Sequence, residues 1–402
     1  MTQKIGVKIS RAIRDPGASF DPRVWLLALG TFAIGTDVFV VSGILPAISD
    51  DLGLSLSAAG QIVTAYALIY AIGAPLLISF LAQLPQVRVV TLTLGLFAVA
   101  NGLCALAPSY GLLMAARVMA GITAALYTST AYSLAASLAR PDHRGAALAA
   151  VAIGLTASAV LGVPFGTFVG QRLGWRSTFW LVTLVSVVAV LILFFIPPTN
   201  LPKPSAAPAR LASRFAPLAK APVLLALLPG LLWNTANMTS YTYLGASLAE
   251  RHEPNAVTLL FFVYGVGGLV GSQLGGRLTD RFGSLRPLAF CLAIATANQA
   301  LMGITATNSL TIAAALVVWS VTGWATFAPQ QSRLIAIEPQ NAPIVIALYH
   351  STIYVGAAAG AAIGGVLMEH AVPATGLHWV TAGLLVVALL ALGASALTLR
   401  RA

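Results

Sequence analysis

The stretch VWLLALGTFAIGTDVFVVSGILP, residues 24–46, is apolar throughout except for small hydroxyls and one carboxylate, Asp37. A helix rising 1.5 Å per residue needs about 20 such residues to cross the hydrocarbon core of a bilayer. The stretch therefore reads as a membrane span. Asp37 is then an acid in a solvent that tolerates it only when it is paired, protonated or wet.

Runs of the same kind follow at 58–82, 89–107, 111–138, 146–170, 177–196, 222–248, 256–278, 285–306, 310–335, 342–368 and 377–399, which makes twelve expected spans. Hydrophobic residues make up 58% of the chain and charged residues only 8%, far from the composition of a soluble domain. The joining turns, such as SDDLGLS and RPDHRG, are short and suit helices that run in alternate directions. The expected fold class is an all-α membrane protein.

The net charge of +11 could point to nucleic acid, but its placement argues for a membrane. With the N-terminus assigned to the cytoplasm, about eighteen Lys and Arg residues fall on that side and about three outside, a strong positive-inside bias. Lys4, Lys8, Arg11 and Arg14, then Lys203, Arg210, Arg214 and Lys220, then Arg400 and Arg401 carry most of it. We expect both termini in the cytoplasm and no nucleic-acid partner. The basic N-terminal segment runs into a full-length span rather than a short core with a cleavage site, so it is expected to be retained. Cys104 and Cys291 lie inside apolar runs and read as buried thiols.

One long polar connection, PPTNLPKPSAAPARLASRFAPLAKA, divides the chain. The expected organisation is a cytoplasmic tail (1–23), a six-helix bundle (24–196), a cytoplasmic linker (197–221), a second six-helix bundle (222–399) and a cytoplasmic end (400–402). The bundles resemble each other at an offset near ~195 residues: Gly162, Gly166 and Gly170 repeat as Gly356, Gly360 and Gly364. Repeated halves commonly hold a solute site between them and rock about it, which is alternating access.

Asp37 is the one acid well inside an expected span, and Arg117 the one base. The first span ends and the fourth begins on the outer face, and counting from that face places the two residues at roughly 13 and 10 Å from it. The arginine charge favours the carboxylate ion while apolar surroundings favour the neutral acid, so modest changes of geometry or hydration can switch it. The expectation is that Asp37 carries a coupling proton and that Arg117 sets its affinity.

Polar side chains inside spans are candidates for a solute lining: Tyr66, Tyr70, Tyr127, Thr128, Asn234, Asn237, Tyr241, Asn298, Trp319, Trp324, His350 and Tyr354. Their amides, hydroxyls and rings suit a neutral or amphipathic small molecule. His350 reads equally as a second proton carrier, a solute contact or a packing residue. The glycines read as close-packing positions and Pro164 as a bend in the fifth span. No phosphate-binding Gly-Lys loop, catalytic constellation or metal-ligand spacing is present, so neither an enzyme nor a cofactor nor an ATP motor is expected, and a proton gradient is the expected energy source.

Four motifs carry a resemblance: GRLTDRFG (276–283), RVMAGI (117–122), GVPFGTFVG (162–170) and GTDVFVVSGILP (35–46). The chain resembles the major facilitator superfamily, and within it the twelve-helix drug/proton antiporters and bacterial exporters of chloramphenicol, sugars or purines. The resemblance implies the major facilitator fold, a bacterial-type inner membrane and proton-coupled efflux of drug-type compounds. Sugar or nucleoside export stands as the alternative, and a non-transporting receptor as a remote one. It also implies that Asp280 and Arg281 steady one closed conformation and that Gly162, Pro164 and Gly166 let the fifth helix flex. The loop motif is lost in the first half, where Ser79, Gln83, Leu84 and Gln86 replace it. Many members of the family carry their acid at the position held here by Val38. A monomer is expected.

Overall fold

The computed structural model describes residues 21, 23–81, 84–140, 143–194, 215–305 and 308–401. Most of the basic N-terminal tail, most of the linker, Gln83 and Ala402 lie outside them, as does the side chain of Ser79. The described residues contain 12 helical spans long and apolar enough to cross a membrane, and no strand. In a hydrocarbon core an internally hydrogen-bonded helix is the structure that leaves no backbone group unsatisfied.

Span 1 is Val24–Leu52, span 2 Leu56–Leu81, span 3 Gln86–Leu106 and span 4 Tyr110–Ser137. Span 5 runs from Arg144 to Leu173 and span 6 is Trp175–Phe194. Span 7 runs from Ala221 to Ala249, span 8 is Pro254–Phe282, span 9 Leu285–Thr305, span 10 runs from Ser309 to Ile337, span 11 is Ala342–Glu369 and span 12 Leu377–Arg401. We call the end where spans 1 and 2 join the far end, and the opposite one the near end. Arg172, Arg176 and Arg251 lie toward the far end, whereas Arg23, Arg88, Arg140, Arg144, Lys220, Arg277, Arg281 and Arg286 lie toward the near end.

Span 1 does not stop at Pro46 as expected; the helix passes through it and ends at Gly53, whose positive φ lets the chain turn. Three spans are interrupted. Span 5 widens into a π-turn at Ser158–Gly162 just before Pro164, a local way to accommodate a residue that lacks an N–H. Span 7 breaks between Tyr241 and Leu244. Span 10 breaks at Thr326, ahead of Pro329.

The helices pair alike in the two halves: 1 with 5, 2 with 4 and 3 with 6 in the first, 7 with 11, 8 with 10 and 9 with 12 in the second. The repeated glycines explain the first pairing. Gly162, Gly166 and Gly170 face Thr36, Val40 and Ile44 of span 1, and Gly356, Gly360 and Gly364 face span 7 between Leu231 and Tyr243. At most of these a Cβ would overlap its neighbour, so glycine is what brings the helices to this separation. The fold is two pseudo-symmetric six-helix bundles.

Candidate functional site

Asp37 and Arg117 meet as expected. A guanidinium Nη1 donates to Asp37 Oδ1 at 2.6 Å, and both side chains are buried, at 0% and 1% exposure. The guanidinium lies 4.3 Å from the centre of the Tyr66 ring and 5.8 Å from that of Phe179, arrangements that stabilise a cation in an apolar place. Asp37 Oδ2, Arg117 Nε and the Tyr66 hydroxyl have no hydrogen-bond partner. The pair is thus enclosed by spans 1, 2, 4 and 6 of the first bundle, and in this arrangement it does not open onto the space between the halves. Asp37 lies halfway along span 1, about 22 Å from its far end rather than ~13 Å, because the helix continues beyond Pro46. The part-exposed neighbours Val38 and Phe39 face outward from the bundle instead. Phe39 reaches the second half, edge-on to Tyr241 at 5.9 Å and tilted against Trp324 at 6.4 Å.

Among the described residues, the hydrogen bonds between the halves cluster from the far end to the middle. Ser57 donates to Glu369 at 2.9 Å, Arg172 to Asn255 at 3.0 Å and Thr258 to Gln171 at 2.9 Å. Deeper in, the hydroxyl of Ser42 donates to the carbonyl of Tyr241. Gly265 of span 8 backs onto the Ala159 carbonyl in the π-turn of span 5. Midway, the rings of Tyr70 and Tyr354 stack with centroids 3.6 Å apart. The seam is closed from the far end to about this level.

The polar candidates divide into two groups. Tyr70, Thr128, Tyr241, Trp324 and Tyr354 lie at or beside the seam. His350 is exposed and one helical turn from Tyr354 toward the near end, so it shares that face of span 11. Tyr66 links both sites, with Arg117 over its ring and Tyr70 stacked at 6.2 Å.

The others are packing groups. Tyr127 is fully buried and its hydroxyl donates to the Leu27 carbonyl at 3.0 Å, tying span 4 to span 1 beside Gly30. Asn234 donates to the Ile353 carbonyl, tying span 7 to span 11. Asn298, on span 9, donates to the Ala315 carbonyl at 3.2 Å. Each donates to a carbonyl of a neighbouring helix, which gives Tyr127, Asn234 and Asn298 a packing role in this arrangement. Asn237 accepts from Trp319 Nε1 at 2.9 Å, so these two hold each other under the aromatic cluster of Tyr241, Tyr264 and Phe261.

Asp280 and Arg281 are exposed, and among the described residues neither makes an ion pair; the Arg281 guanidinium lies over the Phe282 ring at 5.2 Å. Gly162, Pro164 and Gly166 are buried where span 5 meets span 1.

Two features escaped the sequence reading. Tyr243, in the break of span 7, wedges between Gly60 of span 2 and Gly364 and Gly365 of span 11, and donates to the Ala361 carbonyl at 2.9 Å; the SYTYLG stretch gave only its aromatic type. Arg333 is a second buried arginine, 5% exposed, donating to Ser395 at 2.7 Å. It lay too near the end of its apolar run to read as interior.

The family model described as Major Facilitator Superfamily matches residues 27–342 and 246–402. The chain is 32% identical to the uncharacterized MFS-type transporter YbcL of Bacillus subtilis, over 92% of this chain and 94% of that one. It is also 32% identical to a chloramphenicol resistance protein of Streptomyces lividans, over 91% of this chain and 94% of the other. A bacterial homologue of the human lysosomal transporter Spinster, solved in an inward-facing and occupied conformation, superposes with a TM-score of 0.73 at 20% identity, covering 93% of this chain and 96% of that one. Twelve spans paired alike in two halves, and relatives of matching length, make this chain a membrane transporter of the major facilitator superfamily.

Proposed function

We propose that the chain exports small neutral or amphipathic compounds in exchange for protons. The observation that carries this reading is the Asp37–Arg117 pair, a charge pair buried in a membrane span with the second carboxylate oxygen unpartnered. A proton delivered to Asp37 weakens its hold on Arg117. The guanidinium keeps its charge and remains over Tyr66. Span 1 carries Asp37 and, five residues further, Ser42 at the seam. A shift of this one rigid helix therefore links proton occupancy to the far-end contacts. That link gives the two states of alternating access different proton affinities, as coupling requires.

The excess of Lys and Arg at the near end makes it the cytoplasmic end under the positive-inside rule. The arrangement closed at the far end is then the one that receives solute from inside. Tyr70, Thr128, Trp324, His350 and Tyr354 offer it rings, hydroxyls and an imidazole. The relationship to a chloramphenicol resistance protein makes chloramphenicol the first compound to try.

The test uses proteoliposomes loaded with chloramphenicol. An imposed proton gradient should accelerate its release, and Asp37→Asn should abolish the acceleration. Release that ignores the gradient in the unaltered protein overturns the coupling. Absence of transport across a panel of neutral and amphipathic compounds overturns the solute class.

A further inference from the structure

Three tyrosines join the buried pair of the first half to the second half. Tyr66 and Tyr70 are four residues apart on span 2, so their rings share one face of that helix. The Arg117 guanidinium lies 4.3 Å from the centre of the Tyr66 ring, and the Tyr66 and Tyr70 rings stack at 6.2 Å with 29° between their planes. Tyr70 in turn stacks on Tyr354 of span 11 at 3.6 Å and 21°. The series thus runs from the guanidinium beside Asp37 to a ring that belongs to the other half. Its first step is fixed by the backbone. A Cβ on Gly121, one helical turn from Arg117 on span 4, would overlap the Tyr66 carbonyl, so this glycine brings span 4 close enough to set Arg117 over the ring.

The link at Arg117 is made by a ring and not by a hydroxyl. The Tyr66 hydroxyl is buried without a hydrogen-bond partner, so what Tyr66 offers the guanidinium is its aromatic face. Only the step from Tyr70 to Tyr354 crosses the seam, and it lasts only while spans 2 and 11 stay together. At that step the series has two discrete states, stacked and unstacked. Among the described residues, the ionisable groups that act on Asp37 or on its arginine are Tyr66 on span 2, Cys104 on span 3 and the pair itself.

We infer that the stacking of Tyr70 on Tyr354 sets the proton affinity of Asp37 through the position of the Tyr66 ring under Arg117. While the halves meet, the three rings hold the guanidinium against Asp37 and favour the ion, so the proton leaves. When Tyr354 departs with its half, Tyr66 loses its backing, the guanidinium is held less firmly and Asp37 takes up a proton more readily. Far-end closure then releases the proton to the cytoplasmic side and far-end opening collects one from outside, the order that export against protons requires. Tyr66 is a positioning residue that acts through Arg117. The inference rests on the reading of Asp37 as the proton carrier and adds the route by which the second half reaches it.

Infrared difference spectra of the full chain in lipid bilayers report the protonated carboxyl of Asp37 as the band that Asp37→Asn removes, and its pH titration needs no solute. Tyr66→Leu and Tyr354→Leu should each raise the proton affinity of Asp37 about threefold or more, which moves the midpoint up by about half a pH unit or more. Tyr66→Phe and Tyr354→Phe, which keep the rings, should restore the midpoint of the unaltered chain. A merely structural role would lower the unfolding temperature of the Leu variants without moving the midpoint, and that result overturns the inference. Where Tyr66→Leu unfolds early, Tyr354→Leu, in the other half, carries the test. No such band in the unaltered chain at any pH overturns the proton reading and this inference together. A titrating Asp37 whose midpoint is unmoved in Tyr354→Leu, or moves as far in Tyr66→Phe as in Tyr66→Leu, overturns this inference alone.

Discussion

The hydroxyl of Ser42 on span 1 donates to the carbonyl oxygen of Tyr241 on span 7, and each residue stands at a defect in its own helix. Span 7 is interrupted after Tyr241, where a helix end leaves carbonyls without intrahelical partners. Pro46 has no N–H to offer the Ser42 carbonyl four residues earlier, and Gly245 packs so closely on that carbonyl that a Cβ would overlap it. Span 1 thus satisfies a carbonyl at the break of span 7, and span 7 packs Gly245 against the carbonyl that Pro46 leaves open, at one point of the seam. Ser42→Ala should cost the far-end-closed arrangement about 1 kcal/mol. Gly245→Val should prevent closure altogether. Spin-label distances between the far ends of spans 2 and 11 should lengthen in both variants, more in the second. Unchanged distances in Gly245→Val would show that this contact does not hold the seam.

The buried pair separates coupling from mere support. Removing one partner of a buried pair leaves a charge uncompensated, at a cost of about 3–5 kcal/mol. Arg117→Gln alone should therefore lower thermal stability markedly. The double variant Asp37→Asn with Arg117→Gln should recover much of that loss. If the pair only braced two helices, the double variant would regain gradient-driven transport along with stability; we expect it to regain stability only.

Tyr127 should behave as a fastener. Its hydroxyl bond to the Leu27 carbonyl is buried between spans 1 and 4. Tyr127→Phe keeps the ring and leaves that carbonyl short of one donor, so a loss of about 1–2 kcal/mol is expected. The Michaelis constant for solute should stay as it is. A large change in that constant, with stability intact, would return Tyr127 to the solute lining.

At the near end, Lys220 Nζ lies 2.7 Å from both carboxylate oxygens of Glu338, and Asn341 donates to one of them at 2.7 Å. These donors hold the Glu338 carboxyl below its ordinary value of 4.5, the Lys220 bond first among them. A depressed folded-state value means that the stabilisation is fully present above the ordinary value and is lost as pH falls through the depressed one. The melting temperature of the unaltered chain should fall along that acid limb. Glu338→Gln should flatten its share of the decline while leaving neutral pH little changed. An acid limb of the same depth in the variant would assign the decline to other carboxylates.

The steric demand of the π-turn predicts a block between spans 5 and 8. A Cβ on Gly265 would overlap the Ala159 carbonyl, and a rigid backbone oxygen cannot step aside as a side chain can. Gly265→Val should push the spans apart and slow transport at unchanged expression. Crosslinking between cysteines placed in the two spans near this level would report the added separation. Equal crosslinking and equal transport in the variant would remove Gly265 from the seam.

Much of the architecture was legible because lipid imposes it. Runs of about 20 apolar residues have few structural options in a bilayer, and the glycine triplets at one offset marked the two halves as a repeat. The pairing of Asp37 with Arg117 was legible for a similar reason, since two opposite charges stranded in apolar spans have each other as the obvious partner. The hydrogen-bond partners of the polar candidates were not legible. Tyr127, Asn234 and Asn298 look like lining residues in sequence, but polarity alone does not say whether a hydrogen bond goes to a solute or to the next helix. Arg333 was hidden by its place near the end of an apolar run, and Tyr243 by sitting at a helix break that no proline or glycine marks directly.

The sequence by itself determined the solvent, the number of spans, the repeat and the charge pair, because each follows from local hydropathy, spacing or the cost of an isolated ion in lipid. Only the tertiary structure decided that Asp37 is sealed inside one bundle while Val38 and Phe39 face outward, and that the seam is joined through Ser42, Tyr241, Tyr243 and Gly245. A rotation of about 100° per residue separates those outcomes. It is set by where neighbouring helices can approach, which depends on glycines and helix breaks far away in the chain.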